Sequence, residues 1–370
     1  MEQLTDVIVI GGGIAGISAA ARLAGSAQVV VLEKEHAPGT HATGRSAATY
    51  IRNYGNATLR ALNAASHGDL ESPPHSLAES SLLSPRGLLY VAKANETALL
   101  DAELAGADGM REITVAEAKE HFRVLNTGPV ARAAIEPDAS DIDVDRLLQG
   151  FLRQVRAAGG QVITSQEVQA IRREDGVWKV ETAERRFCAP VILNAAGAWA
   201  DQIAALAGAR PKGLVPKRRS AALLPAPEGY DISTWPLVAS IAEEWYAKPD
   251  TGKLLVSPAD QDPVEPMDAW PDEMVLAEGL HRFEQATQMK VERVAHRWAG
   301  LRTFARDKTP IAGFDPDIPD FFWLAGQGGY GIQTSPALSQ IAADLVLRGT
   351  TEVVAPDIIA NLSPARPGLG

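Results

Sequence analysis

Residues 6–33, DVIVIGGGIAGISAAARLAGSAQVVVLE, read as a strand, a glycine turn, a helix and a second strand. Val7 to Ile10 are β-branched and apolar without alternation, as expected of a strand buried on both faces of a parallel sheet. Gly11, Gly13 and Gly16 then form G-x-G-x-x-G. The first glycine allows the tight turn, the second lets a pyrophosphate approach the backbone, and the third lets helix and strand pack closely. Ile14 and Ala15 open the helix, whose unpaired N–H groups would face the phosphates. Val29 to Leu32 form the next buried strand, and Glu33 at its end is placed to accept from ribose hydroxyls and to repel a 2′-phosphate. Two flanking buried strands and the N-terminal position favour dinucleotide binding over an ordinary glycine turn. The motif alone leaves FAD and NAD both open.

The loop that follows, KEHAPGTHATGRSAATYIRNYG, begins at Lys34 and carries Gly39, Gly44 and several small residues, which suits close approach to a ligand. Arg45 and Ser46 are candidate donors to phosphate or flavin atoms; a plain surface loop is the competing reading. Asn56 caps a helix through Leu59, Leu62 and Ala65 that ends at SPPHS. Residues 87–92 and 130–135 read as strands, with a capping box at Thr114 and Glu117 between them. From Tyr50 to Asp141 the chain looks like an insertion between halves of the first domain.

Asp143 caps an amphipathic helix bearing Leu147, Leu148, Phe151, Leu152 and Val155. Short strands follow at 161–164, 168–173 and 177–182, the last two joined by Glu174-Asp175-Gly176. VILNAAGAWAD, residues 191–201, is a buried strand whose end, including Ala196 and Gly197, lets backbone approach a cofactor. Pro211 to Arg302 is expected to hold short strands and one helix, roughly 273–289. The α/β character returns after Thr309, with a strand at 321–325, a glycine-rich turn at 326–331 and a helix at 333–347. The tail SPARPGLG is expected to be disordered.

A chain of 370 residues suggests two domains, and 46% apolar with 22% charged residues is a globular composition. A net charge of −11 argues against binding nucleic acid through phosphates. One cysteine, Cys188, excludes an internal disulfide or a Cys-based metal site, and no metal is expected. No signal peptide, and no apolar run long enough to span a membrane, is apparent. A cytoplasmic protein is expected, with peripheral attachment at the inner face of the membrane left open.

Seven separated stretches agree on one family. GGGIAG with Glu33, HATGRSAATY, VILNAAGAWAD, PKRRSA, EEWYAKPD, WAGLRTF and AGQGGYGIQTS occur in the same order in the FAD-dependent amino-acid oxidoreductases that include D-amino-acid oxidase, glycine oxidase and sarcosine oxidase. The chain resembles that family over nearly its whole length, and most of all its bacterial D-arginine dehydrogenase branch. The resemblance implies an α/β (α+β overall) fold. A Rossmann-like FAD-binding domain of residues 1–50, 142–210 and 303–370 would join a discontinuous second, substrate-binding domain of 51–141 and 211–302, built on an antiparallel sheet. It implies FAD, non-covalent here because Cys188 lies far from the C-terminal flavin loops. Gly44, Arg45, Ser46 and Ala47 would contact the cofactor, Val168 the adenine, and Gly328, Gly331, Ile332 and Gln333 would run past the flavin.

The reaction the resemblance implies is oxidation of a D-amino acid, with electrons passing to a quinone or carrier. Arg302 matches the carboxylate-binding arginine and Arg219 a second arginine beside it; a guanidinium grips a carboxylate in a bidentate way that lysine cannot. Tyr54 and Tyr246 match tyrosines that bond the substrate or close its pocket, which Thr49, Leu88, Gly329 and Gln333 would border. No general base is evident. Arginine-using relatives carry a histidine where Thr49 stands and an acidic residue where Leu88 stands. An unpaired desolvated cation is costly, so neutral or apolar D-amino acids are expected to be preferred over D-arginine. The alternatives are a glycine, sarcosine or N-substituted amino-acid oxidase and, in another class, a flavin-binding sensor without turnover, which would have no need of a carboxylate anchor.

Overall fold

The structure is a computed structural model that describes residues 2–369. Its centre is a six-stranded sheet in the order Gln161–Ile163, Val29–Leu32, Val7–Ile10, Val191–Asn194, Phe321–Ala325, Ile311–Phe314. All neighbours are parallel except the last pair. Alternate residues of Val7–Ile10 go to opposite faces. Val7 and Val9 pack under the helices Ile14–Leu23, Val144–Ala157 and Gly331–Arg348. Ile8 and Ile10 pack against Trp178, Val180 and Phe187 of a smaller four-stranded sheet. Both faces are therefore covered, which is why these strands are apolar without alternation.

The second large sheet has eight strands, in the order His296–Phe304, Val215–Pro225, Lys253–Ser257, Tyr246–Asp250, Leu237–Ser240, Leu88–Ala92, Arg132–Glu136, Arg111–Ile113. Its pairings are antiparallel except between Leu237–Ser240 and Leu88–Ala92. One face carries Leu89, Val91, Val238, Ala247, Leu254 and Val256 into a core shared with helix Glu273–Ala286. Directly paired residues share a face. Arg219 opposite Gly300, Tyr246 opposite Ala239, Ala239 opposite Tyr90, and Leu88 opposite Leu237 and Glu136 therefore lie on the other face, toward the nucleotide half.

Local signals placed most elements well. Asn56, Thr114 and Asp143 cap their helices as their sequence contexts predict. Three departures stand out. The region after Pro211 holds two long strands, of 11 and 9 residues, because Val215–Pro225 and His296–Phe304 pair along nearly their full length. The last long helix starts at Gly331, two residues before the expected start. The tail is docked, not disordered: Arg366 is 9% exposed and donates to Asp307, Thr309 O and Pro310 O, a set of partners that composition does not reveal. Helix Ala57–Glu71 lies against helix Gly331–Arg348.

Candidate active site

A cleft of about 280 Å3 runs from the glycine turn to the large sheet, bordered by Gly11, Gly13, Ile14, Ala15, Glu33 and Lys34 at one end and by Arg219, Tyr246 and Arg302 at the other. Gly16 sits behind it: a Cβ there would lie 1.9 Å from the Gly11 carbonyl oxygen, so helix and turn touch only because the side chain is absent. Glu33 accepts from the Gly12 N–H at 2.6 Å and the Glu35 N–H at 2.8 Å, which fixes its carboxylate at the edge of the cleft. Thr43 Oγ1 accepts from the Ile14 N–H at 3.0 Å, a cap from the next loop that the local pattern did not disclose. Lys34 Nζ stands 3.5 Å from the Trp199 ring centroid, and Val168, Ala196 and Gly197 complete this end.

The loop after Glu33 serves two purposes. Gly44 does not border the cleft; its N–H donates to Gly39 O at 2.7 Å and closes the turn. Arg45 borders it, but its guanidinium donates to Thr40 O, Ala269 O, Ala299 O and Asp268, so it ties the loop to the segment beside the large sheet. Ser46 and Ala47 border both the cleft and a second cavity beyond it. Lys248, on the large sheet, donates to Ala47 O at 2.9 Å and to Asp141 at 2.5 Å.

The second cavity, about 110 Å3, continues past Arg219, Tyr246 and Arg302 and is walled by Thr49, Tyr54, Leu88, Tyr90, Gly329 and Gln333 among others. The predicted substrate residues are therefore brought together where the cleft meets this pocket. Arg219 and Arg302 come from neighbouring strands and carry no acidic partner among the described residues. Gly329 crosses closely over Arg302: a Cβ would lie 3.2 Å from the guanidinium carbon. Gly328 has φ +54°, and a Cβ there would meet the Phe304 ring at 2.2 Å. Gly331 and Ile332 bring the first turn of helix Gly331–Arg348 to the cleft wall.

Charge in the pocket is not balanced. Burial pushes Arg219 below the ordinary arginine range and the neighbouring Arg302 adds to the effect. Burial alone would raise the Tyr246 phenol, yet the two guanidiniums hold it below its usual value. Arg302 is also desolvated, but the surrounding Tyr54, Tyr246 and Glu243 outweigh this and raise it. Two guanidiniums and one rim carboxylate, Glu243, therefore border the pocket.

Two wall residues, Tyr90 and Glu243, escaped the sequence reading. Tyr90 shares its face with Leu88 by strand alternation, which was legible once the strand was placed. Tyr330, which is not itself part of the wall, lies tilted against Tyr54 with centroids 4.6 Å apart. Glu243, at the exposed rim, accepts from Gln261 at 2.5 Å and left no local signal. Gln333 borders the pocket with its amide already engaged, accepting from the Ile51 N–H and donating to Asn63. Cys188 lies in strand Arg186–Ala189 and does not border the cleft.

A family model described as FAD dependent oxidoreductase matches residues 6–345. The chain belongs to that family. Its FAD assignment fits the cleft on the chain's own terms, since the glycine turn, the fixed Glu33 and the small residues of the C-terminal turn leave room along one continuous groove. Similar proteins include FAD-dependent oxidoreductase domain-containing protein 1 of Mus musculus, 26% identical, with 94% of this chain and 82% of that protein covered. Sarcosine oxidase subunit beta of Rhizobium meliloti is 27% identical, over 95% of this chain and 86% of that protein. Glycine oxidase of Geobacillus kaustophilus is 26% identical, with 95% of each covered. The crystal structure of glycine oxidase from Geobacillus kaustophilus superposes with a TM-score of 0.85 at 23% identity, covering 98% of both chains, and shares the fold. This oxidoreductase thus has named relatives that act on amino acids. Among its described residues no helix is long and apolar enough to cross a membrane.

Proposed function

We propose that this oxidoreductase catalyses oxidative deamination of D-amino acids with neutral or apolar side chains, the product imino acid hydrolysing to a 2-keto acid and ammonia. The observation that carries the reading is the Arg219–Arg302 pair, two cations side by side with no acidic partner among the described residues. A substrate carboxylate supplies the missing charge. Arg302 takes it in a bidentate grip, Arg219 adds a second donor, and Tyr54 and Tyr246 close around it. Anchored there, a substrate would have its Cα–H within reach of the cleft where Arg219, Tyr246 and Arg302 border both cavities. FAD, when bound, supplies the hydride acceptor at its N5. The helix beginning at Gly331 turns its positive end to the same wall, which favours negative charge on the ring.

The amine must be neutral when hydride leaves, and it gives its proton to solvent. The wall facing the substrate side chain includes Leu88, Leu237 and Ala239, with Glu243 held at the rim by Gln261. That apolar inner wall disfavours a cationic side chain. Non-covalent FAD, electron transfer to a quinone or carrier, a cytoplasmic location, and division into FAD-binding and substrate-binding domains at the bounds given above belong to the same proposal.

A second reading has support from the relatives named sarcosine oxidase and glycine oxidase: oxidation of glycine or an N-substituted glycine. The small pocket suits these substrates equally well. Anaerobic mixing of the holoenzyme with D-leucine, L-leucine, glycine and sarcosine, followed by flavin absorbance, separates the readings. Bleaching by D-leucine alone supports deamination of D-amino acids. Faster bleaching by glycine or sarcosine replaces it with the second reading, and no bleaching by any of the four refutes both.

A further inference from the structure

Glu136 is 1% exposed and has no cationic partner among the described residues. Its Oε1 accepts from the backbone N–H of Arg52 at 3.1 Å and of Asn53 at 3.5 Å, while Oε2 has no partner. A carboxylate in such a place is costly, and a leucine of similar reach would fill the site without the cost. The surroundings show what the charge holds. Residues 51–54 form a turn between the strand Thr49–Tyr50 and the helix beginning at Ala57. Asn63 Nδ2 donates to the carbonyl oxygens of Ile51, Arg52 and Tyr54. Gln333 Oε1 accepts from the Ile51 N–H at 3.0 Å. Glu136 takes the N–H groups of Arg52 and Asn53. It therefore supplies one piece of a clamp, beside the contacts of Arg52 and Asn53 with Asp108, whose product is the position of Tyr54, over the substrate pocket and tilted against Tyr330.

We infer that Glu136 is a positioning residue for substrate binding: through the Arg52 and Asn53 amides it holds the Tyr54 turn closed on the pocket. This rests on the site reading above, in which Tyr54 contacts the bound carboxylic acid. It touches neither substrate nor cofactor itself. Its place on the sheet accounts for its reach, since it stands directly across from Leu88, a wall residue of the pocket, and so shares its face.

The test uses the FAD-loaded protein and two readouts. Hydrogen exchange reports the turn without reference to any ligand, and benzoate titration of the flavin absorbance reports the pocket. In Glu136→Leu the amides of residues 52 and 53 are expected to exchange at least about tenfold faster, as for loss of a hydrogen bond to a charged acceptor. The amides of the parallel sheet stay as they were. Benzoate Kd should rise about tenfold, and the rise should largely vanish in a Tyr54→Phe background, because coupled residues are not additive. Glu136→Gln keeps one carbonyl acceptor and is expected to restore most of both, which separates positioning from a folding defect. Unchanged exchange at residues 52 and 53, or a Kd effect that is fully additive with Tyr54→Phe, overturns the inference. Failure of the site reading would register elsewhere, as benzoate binding indifferent to Arg302, with the exchange result still deciding the role of Glu136.

Discussion

Replacing Arg302 with methionine should weaken carboxylate binding while leaving the fold intact. The guanidinium lacks an ion-pair partner among the described residues, lies beside Arg219 and is crossed closely by Gly329, although Tyr54, Tyr246 and Glu243 favour its charge from around the pocket. A hydrogen bond between charged groups contributes about 1.5–3 kcal/mol. Loss of a bidentate grip, with Arg219 left to hold the ligand alone, then amounts to about 3 kcal/mol, or about 150-fold in Kd. Methionine fills much of the same volume and removes one of two like charges. The assay is benzoate titration of the FAD-loaded protein by flavin absorbance, with thermal unfolding of the ligand-free holoenzyme alongside. A Kd within about twofold of the parent would refute the anchor. So would a marked loss of Tm, since it would make Arg302 a structural residue.

Gly328→Val, at φ +54° and against the Phe304 ring, should lower FAD content measured as the ratio of flavin to protein absorbance, whereas full occupancy would remove the turn from the cofactor site. Leu88→Glu should raise the kcat/KM ratio of D-arginine to D-leucine by about tenfold or more, and an unchanged ratio would show that Leu88 does not set side-chain preference. Tyr246 titrates below the ordinary tyrosine value because Arg302 and Arg219 outweigh its burial. A bound carboxylate neutralises those cations and favours the protonated phenol, so benzoate affinity should fall as pH rises through the free-enzyme pKa, at a pH below 10. Tyr246→Phe should remove that alkaline limb; its persistence would assign it to another group.

Much of the nucleotide half was legible because its signals are local. The run Val7–Ile10, the glycine spacing and Glu33 each imply their neighbours within a few residues, and helix caps at Asn56 and Asp143 depend on side chains that bond three positions on. The long pairing of Val215–Pro225 with His296–Phe304 was hidden because each strand is defined by a partner some eighty residues away, and alternation is blurred by Arg219 and Arg302 on the face that meets the cleft. Arg45 shows the same limit from the other side. A loop arginine after a dinucleotide motif reads as a phosphate ligand, yet its donors are taken by Thr40, Asp268, Ala269 and Ala299, partners mostly remote in sequence.

Sequence patterns do not show where polar groups are left without partners, and several such groups, at Glu136, Ser240 and Gln327, lie in or near the walls of the cleft and pocket. The apolar faces of both large sheets agree with their burial, so pattern and structure coincide there. Around the substrate pocket they diverge. Two arginines lack counter-charges, Glu136 keeps an unpaired oxygen, and Tyr246 is held away from its ordinary titration. They lie on one face of one sheet, spread across the strands Val215–Pro225, Tyr246–Asp250, Arg132–Glu136 and His296–Phe304. Unpartnered buried polar atoms also occur elsewhere, at Arg22, Trp178 and Arg282, so the argument for a ligand rests on the two neighbouring arginines beside the end of the dinucleotide cleft.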